Sequence, residues 1–400
     1  MIRTTPFHDR TSAANETGLW EHWSGYLVAQ KYQQSEKFEY FAIRNSAGLF
    51  DSSPLFKYRI HGPDAEAFLG GVLARDIRTC AVGHGQYTAW LDDGGFVVED
   101  GVIFRNGPDD YLLTCAEPNL AWFEGLAGRH RVTFEDQSEG TAVLAIQGPK
   151  SREVLATLVP GIERVPYFGL CDTRLAGAPI RISRTGYTGD LGYELWIPAD
   201  RALAVWDAVT EASAGRGVVP FGMIALYMAR IEAGLLLLDV DFASSRYSWT
   251  NATRSSLVEV GLGWMVRDLA SDDRTFIGRG ALERELRDKS SRWKVTGLVL
   301  DWRDYDRHYD DAGLIPPKDH TPIQDEYYVY SDEGVTQIGY ATSLMYSPML
   351  QRHIALARVP LDCATPGSTV KLELPVNHRY EYFDAAVARL PLYNPERRTA

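Results

Sequence analysis

A pattern that occurs twice constrains this chain more than any single residue: a Gly-Pro pair opening an amphipathic helix, followed by a glycine-bearing strand-turn-strand unit. The first copy starts at Ile60-His61-Gly62-Pro63-Asp64 with a helix through Leu73, and the second at Ile146-Gln147-Gly148-Pro149-Lys150 with a helix through Leu158. Proline suits a first helical turn because the N–H it lacks has no intrahelical acceptor there. The strand units follow at residues 87–104, turning at Asp93-Gly94-Gly95, and at residues 180–197, turning over Gly186, Gly189 and Gly192. Three glycines between positions 186 and 192 permit a tight bend and let the backbone come close to a flat ligand. Taken alone, the second unit also fits an ordinary surface hairpin, and two Gly-Pro helix starts can coincide by chance. Two related halves facing one another would set both hairpins beside one central cavity.

With 400 residues, 45% of them hydrophobic and 24% charged, the chain has the makings of a soluble globular protein with more than one domain. No stretch approaches the about 18 consecutive apolar residues of a membrane helix, and Met-Ile-Arg-Thr-Thr-Pro-Phe does not read as a signal peptide. A cytoplasmic location without a membrane partner is therefore expected. The formal net charge of -12, without a Lys/Arg cluster, argues against nucleic-acid binding and requires an anionic ligand to find a local positive pocket. Cys80, Cys115, Cys171 and Cys363 form no Cys-x-x-Cys pair, and the nine histidines show no His-x-x-x-His or His-Glu-x-x-His spacing, so no disulfide framework and no metal are expected. Gly83-His84-Gly85 and Gly261-Leu262-Gly263 lack the further glycine of a dinucleotide fingerprint, which excludes a nicotinamide cofactor.

Further along, residues 201–212, with Asp200 as N-cap, and residues 223–233, ending at Gly234, read as helices. From about residue 292 the texture changes to short strands at 293–300, 327–330, 337–342, 353–359, 369–374 and 385–390, the pattern of a β-barrel or sandwich. Residues 303–319, rich in Asp, Arg, Pro and Tyr, read as a solvated loop within it. The expected organisation is α+β, with residues 1–285 as a core of two related halves, about 47–140 and 141–250, and residues 290–400 as a C-terminal barrel domain.

Ser183-Arg184-Thr185-Gly186-Tyr187-Thr188-Gly189-Asp190-Leu191-Gly192-Tyr193-Glu194 resembles the signature hairpin of the folate-dependent aminomethyltransferases, the family that includes the T-protein of glycine cleavage. The resemblance spans nearly the whole chain in order. It takes in Ala47-Gly48-Leu49-Phe50-Asp51, Gly85-Gln86-Tyr87-Thr88, Gln147-Gly148-Pro149, Arg230-Ile231-Glu232-Ala233-Gly234, Phe276-Ile277-Gly278, residues 339–348 and Leu390-Pro391. It implies a multi-domain cloverleaf, two related α+β lobes around a central folate channel plus a C-terminal β-barrel, with tetrahydrofolate as cofactor.

On that resemblance Asp100 matches the family's catalytic aspartate. Folate one-carbon chemistry needs a group that manages protons on the pterin's N5 and N10, and a carboxylate within hydrogen-bond reach does so while stabilising a transient iminium. Glu194 matches the pterin-binding glutamate, a bidentate acceptor for the amino group and adjacent ring N–H. Tyr87, Tyr167 and Tyr187 match aromatic or hydroxyl positions around the cofactor, Val102 a backbone or packing contact, and Arg230 a folate-contacting arginine that would supply the missing positive charge. Glu99 should face away from Asp100, because successive strand side chains alternate.

The departures bear on the one-carbon donor. Where T-proteins read Phe-Asp-Val-Ser-His-Met-Gly-Lys, this chain has Phe50-Asp51-Ser52-Ser53-Pro54-Leu55-Phe56-Lys57. A strand that brings an asparagine to the cofactor reads Leu113-Thr114-Cys115-Ala116, and Cys115 cannot replace asparagine's paired donor and acceptor. A short Arg-Gly-Lys segment is replaced by Asn377-His378-Arg379-Tyr380-Glu381-Tyr382-Phe383. Pro54, Leu55 and Tyr380 are thus candidate substrate residues, and with Trp20, Trp23, Tyr26 and Trp90 they suggest a pocket entrance lined by aromatics. The resemblance implies transfer of an aminomethyl or methylene carbon to N5 of tetrahydrofolate from a small-molecule donor, or from the lipoyl arm of a carrier protein, which an acidic chain is ill suited to meet if the carrier is acidic too. Two alternatives are an O-, N- or S-demethylase giving methyltetrahydrofolate, and a non-catalytic folate-binding protein like the relatives in iron-sulfur assembly, whose Lys-Gly-Cys motif is absent here.

Overall fold

The computed structural model describes residues 2–317 and 320–400. A five-stranded antiparallel sheet, in the order His84–Leu91, Val97–Gly107, Asp110–Cys115, Phe56–His61 and Thr133–Asp136, forms the first lobe under the helix Ala65–Val72. Phe68, Leu69 and Val72 on that helix meet Tyr58, Ile60, Trp90, Ile103 and Leu113 of the sheet. A six-stranded sheet forms the second lobe, in the order Leu170–Leu175, Ala178–Ser183, Gly192–Pro198, Thr141–Gln147, Ala47–Asp51 and Val218–Pro220. The helices Ser151–Ala156 and Ala202–Ala212 cover it. Strand Ala47–Asp51 precedes the first lobe in sequence but pairs in the second, antiparallel to Thr141–Gln147.

The two Gly-Pro starts have matching geometry. Gly62 and Gly148 sit at φ +131 and +132, where a Cβ would strike the carbonyl oxygen of Arg131 in one lobe and of Ser46 in the other. Only glycine accepts that conformation without strain. The N–H groups two and three residues on repeat the match: Asp64 donates to Arg131 O and Ala65 to Gly62 O, as Lys150 donates to Ser46 O and Ser151 to Gly148 O.

The helix Met223–Glu232 stands at the centre, every residue buried except Tyr227. It packs against Tyr40, Phe50 and Ala145 on the lobe side and Met345, Ile354 and Leu356 on the barrel side. At about 1.5–3 kcal/mol for each large apolar side chain removed from water, this helix is the principal apolar tie between barrel and lobes. The barrel is closed by six strands, Lys294–Leu300, Arg352–Val359, Gln337–Ser347, Tyr327–Tyr330, Thr369–Val376 and Arg379–Ala388, several of them longer than the sequence pattern indicates. An N-terminal sheet of Arg3–Thr4, Tyr26–Ala29 and Trp20–Trp23 lies against the lobes, with Ser24 Oγ donating to Ala116 O at 2.9 Å. No helix among the described residues is long and apolar enough to cross a membrane.

Two local expectations are corrected. The stretch expected as a loop contains the helix Trp302–Asp311, started by Asp301, whose carboxylate accepts from the N–H groups of Arg303 and Asp304. Its acidic face conceals an apolar stripe: Tyr305, Tyr309 and Ala312 pack on the barrel core. Lys318 and Asp319, the end of that stretch, lie outside the described residues. Asp200 is not an N-cap; it sits within the 3₁₀ turn Ala199–Arg201, and Arg201 occupies the cap position of the helix that follows.

Candidate active site

Register in the first hairpin pairs Tyr87 with Val102 and Ala89 with Asp100, which puts all four on one sheet face. The Tyr87 hydroxyl donates to Asp100 Oδ2 at 2.5 Å. Burial raises the Asp100 pKa from 3.8 to about 6, against the lowering effect of that hydrogen bond. Glu99 points the other way, where its carboxylate accepts from Ala116 N at 2.6 Å, Glu117 N at 3.0 Å and the Asn119 side-chain amide. It anchors the Ala116–Asn119 turn and is 1% exposed, with burial pushing its pKa up.

In the second hairpin Ser183 pairs with Glu194. Thr185 Oγ1 donates to Glu194 Oε2, Ser183 Oγ lies 2.6 Å from Thr185 Oγ1, and Trp196 Nε1 donates to Ser183 Oγ at 2.9 Å. This chain of donors fixes one carboxylate oxygen and leaves Oε1 without a protein donor among the described residues. Burial raises the Glu194 pKa and the Thr185 bond opposes it. The glycines have a different use from the one expected. A Cβ at Gly186 or Gly192 would overlap the buried Gln147 side chain, and one at Gly189, φ +69, would overlap Ala233 at the end of the central helix. Gln147 Nε2 in turn donates to Thr185 O at 3.1 Å and Tyr193 O at 3.3 Å. The three glycines therefore lock the hairpin onto its own lobe and the central helix; their close approach is to protein.

Tyr187 spans the gap between the hairpins. Its hydroxyl donates to Leu236 O, burial pushes its pKa up, and the charges of Arg230 and Asp100 both act on it. Arg230 is fully buried and is not a free positive charge: Nη1 donates to Asp241 Oδ2 at 2.5 Å and Nη2 to Ser343 Oγ at 2.8 Å. Asp241 balances the guanidinium, so an anionic ligand must find its cation elsewhere.

Val102 is half-buried against Phe104, Leu112 and Trp196. Tyr167 is 39% exposed on a loop joined to the first lobe through Gly85 N to Phe168 O at 2.7 Å and Leu170 N to Gly83 O at 2.8 Å. Pro54 and Leu55 form the turn before the strand Phe56–His61. Lys57 holds that turn: Nζ donates to Ser53 O and Leu55 O, both at 2.8 Å, and burial lowers its pKa to about 8. Cys115 is 2% exposed in the first-lobe core, its thiol turned to Glu117 O at 3.2 Å. Tyr380 is 70% exposed opposite Pro375 on the barrel, among barrel residues. Of the four aromatics expected at a pocket entrance, two serve packing instead: Trp90 is 0% exposed and Tyr26 9%. An open surface cavity of about 430 Å³ lies between Gly71, Asp93 and residues 275–284, and contains none of Tyr87, Asp100, Tyr187 or Glu194.

Sequence reasoning missed Thr185, Asp241 and Trp264. Thr185 stood inside the hairpin motif, where its spacing from Glu194 across the turn was the available signal. Asp241 lies in an irregular stretch that no periodicity relates to Arg230. Trp264, 42% exposed, stacks obliquely on Tyr87 at 6.4 Å, a contact between distant segments with no local signature.

Two glycine hairpins, a carboxylate at each, and a closed barrel docked on a shared central helix make a cloverleaf of two lobes and a barrel. The GCVT N-terminal domain model matches residues 7–268 and the glycine cleavage T-protein C-terminal barrel domain model matches residues 312–394; the chain belongs to this family. It is 32% identical to the trimethylamine-oxide aldolase of Ruegeria pomeroyi over 99% of its own length, but spans only 48% of that protein. It is 32% identical to the heme-dependent oxidative N-demethylase gamma subunit of Ectopseudomonas mendocina, over 94% of this chain and 93% of that subunit. The aminomethyltransferase of Saccharopolyspora erythraea is 29% identical, with 98% of each chain aligned. The crystal structure of glycine cleavage aminomethyltransferase T from Bartonella henselae has the same fold, with a TM-score of 0.81 over 98% of both chains at 23% identity.

Proposed function

We propose that the protein moves a one-carbon unit at the methylene level, carried on the nitrogen of a small-molecule donor, to N5 of tetrahydrofolate. The observation that carries this reading is the Tyr87–Asp100 pair. A carboxyl with a pKa of about 6 exchanges its proton readily near neutral pH, the property a general acid or base needs. The names of three relatives, aminomethyltransferase, N-demethylase and trimethylamine-oxide aldolase, each refer to a one-carbon group on nitrogen, and they support an amine-borne donor.

Tetrahydrofolate, when bound, supplies the nucleophilic N5 and the adjacent N10. The residues fit it: Glu194 keeps an unbonded oxygen for the amino group of a pterin, and its second oxygen is pre-oriented by Thr185. Tyr187 offers a ring fixed by its bond to Leu236 O. Tyr87 holds Asp100 Oδ2, so Oδ1 is the atom that takes or returns a proton at the reacting nitrogen. In its ionised form Asp100 also stabilises positive charge on an iminium donor.

The test is to incubate protein and tetrahydrofolate with isotopically labelled N-methyl, aminomethyl, O-methyl and S-methyl donors, a lipoyl-bound aminomethyl group among them, and to identify the folate product by mass spectrometry. Labelled methylenetetrahydrofolate from the small-molecule aminomethyl donor, whose carbon is already at that oxidation level, supports the reading. Methyltetrahydrofolate replaces it with direct demethylation, and bound but unchanged folate with every donor replaces it with a non-catalytic role.

A further inference from the structure

We infer that Arg75 is the anchor for the carboxylates of the folate's glutamyl tail, with Trp264 as the platform that leads to it. The inference rests on tetrahydrofolate being the cofactor, and it answers the question left by Arg230: where an acidic protein keeps a cation for an anionic ligand.

Arg75 follows the first-lobe helix, and the chain beside it is fixed by the Leu73–Trp90 bridge and by Ala74 N donating to Ala89 O at 2.9 Å. Its Nη1 donates to Tyr87 O at 3.2 Å, and its guanidinium lies 5.3 Å from the centre of the Trp264 ring. Trp264 is 42% exposed and 6.4 Å from the ring of Tyr87. Asp100, Tyr87, Trp264 and Arg75 therefore form one contiguous cluster in which Tyr87 touches the other three. Folate carries matching groups beyond its reacting atoms. From the reactive nitrogens it continues through a flat benzoyl group to the carboxylates of glutamate, with the pterin at the opposite end, where Glu194 waits.

Arg75 also differs from the arginines around it. Arg78 is paired with Asp76 and Asp273, Arg274 with Asp272, and Arg230 with Asp241. Arg75 is in no ion pair among the described residues; its Nε and Nη2 have no protein acceptor there. Burial lowers its pKa, and no carboxylate acts to restore it. A half-buried guanidinium without a counter-charge is unfavourable in the free protein, and a planar carboxylate supplies what is missing through paired, charge-assisted hydrogen bonds.

Equilibrium titration, followed by calorimetry or tryptophan fluorescence, separates the two claims by comparing 5-formyltetrahydrofolate with 5-formyltetrahydropteroate, which lacks the glutamate. The wild type should bind the glutamyl compound about 10- to 100-fold more tightly, the range for a charged hydrogen-bonded pair. Arg75→Gln should lose that preference while binding the pteroate as the wild type does, which also shows that the variant is folded. Arg75→Lys should recover part of it. An Arg75→Gln variant that keeps the full preference overturns the inference and leaves the folate reading standing. So does a wild type with equal affinity for both compounds, and this outcome decides the matter even if Arg75→Gln loses both through misfolding. A wild type that binds neither overturns the folate reading itself.

Discussion

Asp100→Asn should make the protein more stable at neutral pH while removing its chemistry. The folded state raises the Asp100 pKa from 3.8 to about 6, so protons bind the folded protein more tightly than the unfolded chain between these values. Stability from this group is therefore complete below pH 3.8 and lost as pH rises through about 6. At about 1.36 kcal/mol for each pKa unit, the full cost of ionising Asp100 is about 3 kcal/mol; the carboxyl is only partly enclosed, and we set the expected gain on removing it at about 1–2 kcal/mol. Asparagine keeps an oxygen to accept the Tyr87 hydroxyl, so the substitution removes the charge and little else. The assay is urea unfolding of wild type and variant at pH 4 and pH 8. With a slope of about 3 kcal/mol per molar urea, the variant's midpoint should lie higher by about 0.3–0.7 M at pH 8 and by little at pH 4. Equal midpoints at both pH values, or a variant less stable at pH 8, would refute the claim that Asp100 is held in a raised-pKa state. In the wild type, kcat/KM should fall with a single-proton slope below about pH 6 if the ionised form acts as the base.

Removing Arg230 alone leaves the Asp241 carboxylate, still bonded to Leu237 N and the Thr342 and Ser343 hydroxyls, buried without a counter-charge, so Arg230→Ala should cost about 3–5 kcal/mol in urea unfolding, and adding Asp241→Asn should recover part of it. Asp301→Ala removes the cap of the helix Trp302–Asp311 and should cost about 1 kcal/mol, with folate affinity unchanged in a parallel titration. Gly189→Ala forces a side chain into a positive-φ position against Ala233 and should destabilise by about 2 kcal/mol or more, measured in the same way.

The fold was legible where one residue type answers one backbone demand. Gly62 and Gly148 must be glycine at φ +131 and +132, and that requirement is what made the two helix starts visible in the sequence. The barrel showed itself through period-two strands and turns. The helix Trp302–Asp311 did not, because its apolar stripe is carried by two tyrosines and an alanine within a charged run, and its packing against the barrel is a tertiary fact. Within the candidate site, Asp100 beside Tyr87 and Glu194 beside Ser183 follow from hairpin pairing, which sequence conveys well. Charge balance does not follow. That Arg230 is paired and Arg75 is not depends on Asp241 standing beside one and no carboxylate beside the other, an arrangement set by the irregular path of the chain after the central helix, which no periodicity conveys. Two of the expected entrance aromatics were misjudged for a related reason: Trp90 and Tyr26 are as useful to a core as to a pocket, and the core took them.

The central claim is that the two hairpins hold tetrahydrofolate between Glu194 and Asp100. Calorimetric titration of the wild type, Glu194→Gln and Asp100→Asn with tetrahydrofolate tests it most directly. The account predicts saturable binding by the wild type, affinity lower by about tenfold or more in Glu194→Gln, where a charged acceptor is lost, and affinity close to that of the wild type in Asp100→Asn, whose turnover is abolished. A wild type that shows no binding, or a Glu194→Gln variant that binds as tightly as the wild type, would contradict it.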